Sequence, residues 1–115
     1  MQRMAAGVFL ALLLAGCGGP YREELRNEAM AQYQVGRTPE SKVTLERLLA
    51  QYPGDPDGLY MMGRIHQSER AYPQALYYYR SCLEAAPWHK LARQWLISAE
   101  QESGLKAEPF QFEPR

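Results

Sequence analysis

Two stretches of the chain repeat one another at an interval of 34 residues, and this period restricts the fold more than any other feature. Pro53 and Pro87 set the register, and upstream of them like residues face like. Leu25 aligns with Leu59, Ala29 with Gly63, Ser41 with Ala75, Leu45 with Tyr79, Leu48 with Cys82, Leu49 with Leu83, and Tyr52 with Ala86. The match is one of size and polarity, not identity. Within each stretch the apolar spacing is helical: residues 75, 79, 82, 83 and 86 follow i, i+4, i+7, i+8 and i+11, and residues 45, 48, 49 and 52 repeat the last four places. Repeats of this length made from amphipathic helices bury their apolar faces against their neighbours.

Proline and small polar residues mark where the helices begin and end. Pro20, Pro39, Pro56 and Pro73 each fall at a predicted helix start, where a missing N–H does no harm. Thr38 and Asp55 precede two of them as predicted N-caps, and Gly36 and Gly104 are predicted stops. The pattern predicts an all-α chain of about five helices, at 21–35, 39–52, 56–69, 73–86 and 89–103, with no strand. Lys106 to Arg115, with Pro109 and Pro114, is expected to be extended. At 115 residues the chain has room for one small domain with a thin core.

The second stretch resembles the tetratricopeptide repeat (TPR), a 34-residue unit of two antiparallel helices. Gly63, Ala75, Tyr79 and Pro87 sit on that pattern, Leu59 and Met62 are apolar substitutes, and Tyr72 fits the aromatic at the start of the second helix. Two residues depart from it, His66 in place of Tyr and Cys82 in place of Ala. The first stretch is degenerate, keeping chiefly Leu25, Ala29, Ser41 and Pro53. The resemblance implies a short TPR-like helical-hairpin solenoid at 21–104, with a degenerate repeat at 22–55, a clear one at 56–89 and a capping helix at 90–104, before an extended tail at 105–115. Trp95, Leu96 and Ala99 would face inward from that last helix, with Arg93, Gln94, Glu100 and Gln101 elsewhere.

In that family the first helix of each unit lines a concave groove for a peptide or partner helix. Carried over by position, the groove presents Arg26, Met30 and Tyr33, then Asp57, Tyr60, Arg64 and Gln67, then Leu91, Gln94 and Ser98. Chaperone-binding members clamp a terminal carboxylate with Lys, Asn and Arg; only Arg26 and Arg64 approach that here, and a clamp is disfavoured. Read without the family, the same residues form the solvated face of a short stack.

The N-terminus carries a different signal. Met1-Gln-Arg3 is a weakly positive start, Met4 to Leu14 is almost uninterruptedly apolar, and the composition changes abruptly at Gly16-Cys-Gly-Gly-Pro20. This is signal-peptide anatomy. About eleven residues at ~1.5 Å each fall well short of a ~30 Å hydrocarbon core, which disfavours a permanent span. Leu14-Ala15-Gly16-Cys17 resembles the lipobox of bacterial lipoproteins. The resemblance implies cleavage between Gly16 and Cys17, a diacylglyceryl group on the Cys17 sulfur and acylation, such as by palmitate, of the new amine. Residues 1–16 are then the signal peptide, and 17–20 the lipidated cysteine and a short linker. Two or three acyl chains exceed the marginal binding of one. In that family Asp after the cysteine retains the protein on the inner membrane. Gly18 there implies the outer membrane, facing the periplasm, in a cell with two membranes.

Composition excludes several classes. Lys and Arg total 13 and Asp and Glu total 13, so there is no basic stripe for nucleic acid. The only cysteines are Cys17 and Cys82, and with Cys17 acylated Cys82 has no disulfide mate. Cys82 lies on an apolar stripe and reads as a small core hydrophobe. His66 and His89 have no neighbouring ligand spacing for a metal, and His66 falls on a core position of the repeat. No phosphate-binding glycine loop or nucleophile elbow is present, so catalysis is not indicated. Tyr77-Tyr78-Tyr79 is the densest aromatic feature; the register needs only Tyr79, leaving Tyr77 and Tyr78 partly exposed, as helix packing or as a docking patch.

Together these readings lead to a non-catalytic adaptor, with no cofactor beyond the covalent lipid, that holds a partner protein at a membrane during assembly of a pilus, secretion channel or outer-membrane complex. The alternative is a structural envelope lipoprotein that self-associates without a client. An enzyme is the weakest reading, since only Cys82 and the two histidines could serve it.

Overall fold

The computed structural model describes residues 19–105; Cys17, Gly16 and the rest of the predicted signal peptide lie outside the described residues, as does the tail from Lys106. Five α-helices and no strand are present among the described residues: α1 (Gly19–Gln34), α2 (Thr38–Gln51), α3 (Pro56–Ser68), α4 (Tyr72–Ala85) and α5 (Lys90–Ser103). α1 pairs with α2 and α3 with α4 as hairpins; α3 also packs on α2, and α5 on α4, while α1, α3 and α5 come together along one side. α1 begins at Gly19, so the predicted linker at 18–20 is partly helical.

The helix starts agree with the proline pattern, with one correction. Pro56 occupies the first position of α3, and Pro39 and Pro73 the second positions of α2 and α4. Thr38 is therefore inside α2 and not its N-cap; that place belongs to Arg37, whose side chain makes no capping bond. Asp55 does cap α3, accepting the Gly58 N–H at 2.8 Å. Thirty-four residues on, His89 caps α5 the same way, its Nδ1 accepting the Ala92 N–H at 3.1 Å.

The period also shows in the backbone. Gly36, Arg70 and Gly104 stand at 34-residue intervals and all adopt positive φ, at 84°, 61° and 75°. Each lies just beyond the first helix of a hairpin or, for Gly104, at the C-terminus of α5, where a left-handed residue reverses the chain. Both predicted glycine stops are in place, and Arg70 supplies the same turn without glycine.

Packing in the core follows the small-residue positions. The Tyr79 ring lies directly on Gly63, where an added Cβ would be 2.5 Å from Tyr79 Cε1. In the first hairpin Ala29 fills that place, and the buried Ser41 hydroxyl donates to the Ala29 carbonyl at 2.8 Å. Leu45, Leu48, Ile65 and Cys82 are fully enclosed in the core. α5 buries Ala92, Leu96 and Ala99 but exposes Arg93, Gln94 and Gln101. Ile97 aligns with Ala29 and Gly63 and is 48 % exposed, and Arg93 aligns with Leu25 and Leu59. With a bulky and a charged residue where the other units are small and apolar, the outer face of α5 is not shaped for another close helix.

Candidate binding groove

The face built by α1, α3 and α5 holds two clefts. The larger, of about 320 Å³, is lined from α1 by Glu23, Arg26, Asn27 and Met30, from α3 by Asp57, Tyr60 and Met61, and by His89 and Leu91 at the start of α5. The smaller, of about 170 Å³, is lined by Tyr33, Arg64, Gln67, Ser68, Trp95 and Glu102. On each of the three helices the residues of the first cleft precede those of the second, so the helices run in the same direction along this face. Each helix exposes this face because its opposite side is fixed by the core, with Leu25 and Ala29 buried on α1, and Leu59, Met62 and Ile65 on α3.

Of the residues expected to form a groove, Arg26, Met30, Asp57, Tyr60 and Leu91 meet in the larger cleft, and Tyr33, Arg64 and Gln67 in the smaller. Ser98 joins the second through the Gln67 amide, which donates to its hydroxyl at 3.3 Å. Gln94 is exposed and lines neither cleft. Position-by-position transfer missed Glu23, Asn27, Met61, Ser68, His89, Trp95 and Glu102. Trp95 packs against the core, as expected with Leu96, but is only half-buried and also presents its ring to the smaller cleft. Trp95 directly follows Gln94 along α5, and ~100° of helix rotation per residue is enough to put Trp95 in the cleft and leave Gln94 in solvent.

Charge in the larger cleft is internally balanced. The Asp55 carboxylate, 1 % exposed, receives Arg22 Nε at 2.7 Å and Arg26 Nε at 3.2 Å on one oxygen and the Gly58 N–H on the other. Arg26 also lies 3.9 Å from Asp57, whose other oxygen is 3.2 Å from His89 Nε2. Because His89 Nδ1 already accepts from Ala92, its proton is on Nε2 and is donated to Asp57. Both nitrogens of His89 are thus committed to structure. Arg26, one of the two residues nearest a carboxylate clamp, is occupied by the protein's own acids.

The smaller cleft is tied to the core by a chain of hydrogen bonds. Tyr79 Oη donates to Gln67 Oε1 at 2.7 Å, Ser98 Oγ donates to Glu102 Oε2 at 3.1 Å, and Tyr72 Oη donates to Glu102 Oε1 at 3.3 Å. Gln67, the Ser98 and Tyr72 hydroxyls and the Arg70 charge hold the Glu102 carboxyl below its ordinary range. Burial pushes the Tyr79 phenol well above its ordinary range, so it remains a donor. Arg64 lies 3.5 Å from the Trp95 ring centroid and donates to Tyr60 Oη at 2.9 Å.

The remaining candidates lie away from the groove. Cys82 is enclosed, its Sγ donates to the Pro56 carbonyl at 3.2 Å, and burial pushes its thiol up to about 12, with Asp57 and Asp55 adding to the shift. His66 is half-buried and stacks on Tyr78 with the rings 4° from parallel and 5.3 Å apart, while Tyr77 stands edge-on to Tyr78 and is exposed. Among the described residues no cluster of three or more His, Cys, Asp or Glu is placed to hold a metal, and no helix is long and apolar enough to cross a membrane.

What fold and face define is a class: stacked helical hairpins with a shallow, mixed-polarity groove along their first helices. Comparison with protein-family models, with curated proteins and with solved structures gives no match to this chain.

Proposed function

We propose that this protein is a lipid-anchored adaptor that holds a segment of a partner protein in the groove of α1, α3 and α5. The observation that carries the reading is the alignment of the two clefts along one face, each drawing residues from all three helices. Two open clefts on one face, the larger combining Met30, Met61 and Leu91 with charged and polar neighbours, suit a polypeptide better than a small molecule. Leu91 is 50 % exposed there, more than packing within the chain requires. The TPR-like period and the lipobox-like Leu14-Ala15-Gly16-Cys17 support the class and the anchor, and Gly18 supports the outer membrane where the cell has two. The role is assembly or retention of an envelope complex, without catalysis.

Photo-crosslinking in the native cell tests it. A photoreactive residue at position 91 or 30 captures the partner, and one at the exposed Val43, outside both clefts, does not. Equal capture from all three positions would overturn the groove reading. Capture of a second copy alone would favour the self-associating structural lipoprotein. Mass spectrometry of the mature N-terminus tests the anchor, which requires an acylated Cys17.

A further inference from the structure

We propose that the groove reads an acidic side chain on its partner through Arg64; this rests on the groove being the binding face. Three observations lead to it. The Arg64 guanidinium lies over the Trp95 ring at 3.5 Å and is held in place by its bond to Tyr60 Oη, so its position is set before any partner arrives. A guanidinium stacked on an indole keeps its N–H groups in its own plane, available to acceptors at the edge. And among the described residues Arg64 makes no ion pair, while Arg26, the other cation of the groove, is taken by Asp55 and Asp57. Glu102 lines the same cleft but is engaged by Tyr72 and Ser98.

Arg64 is therefore a preorganised cation without a counter-ion, in a recess walled by Tyr33 and Trp95. A monoanionic carboxylate matches the planar fork in a bidentate manner. The Glu102 charge in the same cleft repels any anion, a phosphate dianion about twice as strongly as a carboxylate. The carboxylate belongs to a side chain because of Tyr60: its hydroxyl holds Arg64 while it also lines the larger cleft beside Met30, Met61 and Leu91. A segment that places an acid on Arg64 thus continues over Tyr60 onto Met30, Met61 and Leu91. Tyr60 and Arg64 are one turn apart on α3, so the partner carries Asp or Glu within about 5–10 Å of a large apolar side chain.

A displayed library of peptides capped at both ends, selected on the full mature protein, tests this. The expected selection is enriched in Asp or Glu within a few residues of a large apolar residue. Arg64→Gln is expected to weaken those peptides at least about tenfold, with Arg64→Lys intermediate because charge survives without the fork. Thermal melts of both variants separate recognition from folding: loss of binding in Arg64→Gln at an unchanged melting temperature supports the proposal. Acid-free peptides selected equally well, or peptides indifferent to Arg64→Gln, would overturn it. So would binding that appears only when the C-terminus is uncapped. If acid-free peptides are bound and then lost in Leu91→Glu, the groove stands and the role of Arg64 falls. If nothing is selected, or binding ignores both substitutions, the groove falls with it.

Discussion

At Gly63 a single methyl group would meet the Tyr79 ring at three carbons, the nearest 2.5 Å away and the farthest 3.0 Å. The ring has no space to retreat into, being fully buried with its hydroxyl bonded to Gln67. Gly63→Ala is therefore expected to destabilise by about 1–3 kcal/mol, although alanine is the better helix former. Chemical denaturation measures it, and a stabilised variant would show that the ring is not fixed. His66 makes a pH-dependent prediction. Burial lowers its pKa below 6.5, Lys42 lowers it further, and Glu69 and Glu46 oppose them. The unfolded chain takes up that proton first as pH falls, so stability contributed by neutral His66 is present above 6.5 and lost on acidification toward the folded pKa. His66→Tyr, which keeps an aromatic against Tyr78, is expected to flatten the fall in melting temperature over this window. An unchanged slope would assign the dependence to other groups.

At the level of elements, Asp55 joins α1 to the start of α3. Its carboxylate caps one helix and receives two arginines from the other, so Asp55→Ala removes a cap and two charge-assisted bonds together. The expected cost is about 2–4 kcal/mol, with Asn recovering the cap but not the ion pairs. Hydrogen exchange should then show α1 opening ahead of the other helices; uniform loss of protection would contradict the latch. Five helices and their approximate ends were legible from periodicity and proline because those signals act locally. Thr38 misled because proline is tolerated at either of the first two helical positions, and only the backbone decides which residue precedes the helix. Arg70 gave no signal at all, since its left-handed turn is imposed by hairpin geometry. The groove was legible by position only in part: Glu23 and Asn27 on α1 and Met61 and Ser68 on α3 lie beside the transferred positions, and on α5 Trp95 lines a cleft where its neighbour Gln94 was expected. The pairing of Arg22 and Arg26 with Asp55 spans too many residues for any local pattern to reveal.

For the whole molecule, an anchor at Cys17 would hold the start of α1, and with it the N-terminal ends of the co-directional α3 and α5, close to the bilayer. α1 begins at Gly19, which leaves only Gly18 between the first helix and a lipidated Cys17, a gap of about 3–4 Å per residue. The helices' N-terminal ends, and with them the cleft of Met30, Met61 and Leu91, then sit nearer the bilayer than the Arg64 cleft. A partner that fills both clefts enters with its apolar residue toward the membrane and its acid away from it. With such an anchor, tether length would control which partners engage: a short tether would favour membrane-embedded or membrane-proximal ones, and freely diffusing ones would be indifferent to it. Inserting about twelve Gly and Ser residues between Cys17 and Gly19 would let the domain move roughly 20 Å from the surface without altering the groove. Crosslinking from position 91 is expected to drop several-fold in that variant, because the longer tether lowers the local concentration of groove at the partner's height. Capture at the original yield would instead mean that the partner reaches the groove from solution, and that the short tether serves attachment alone.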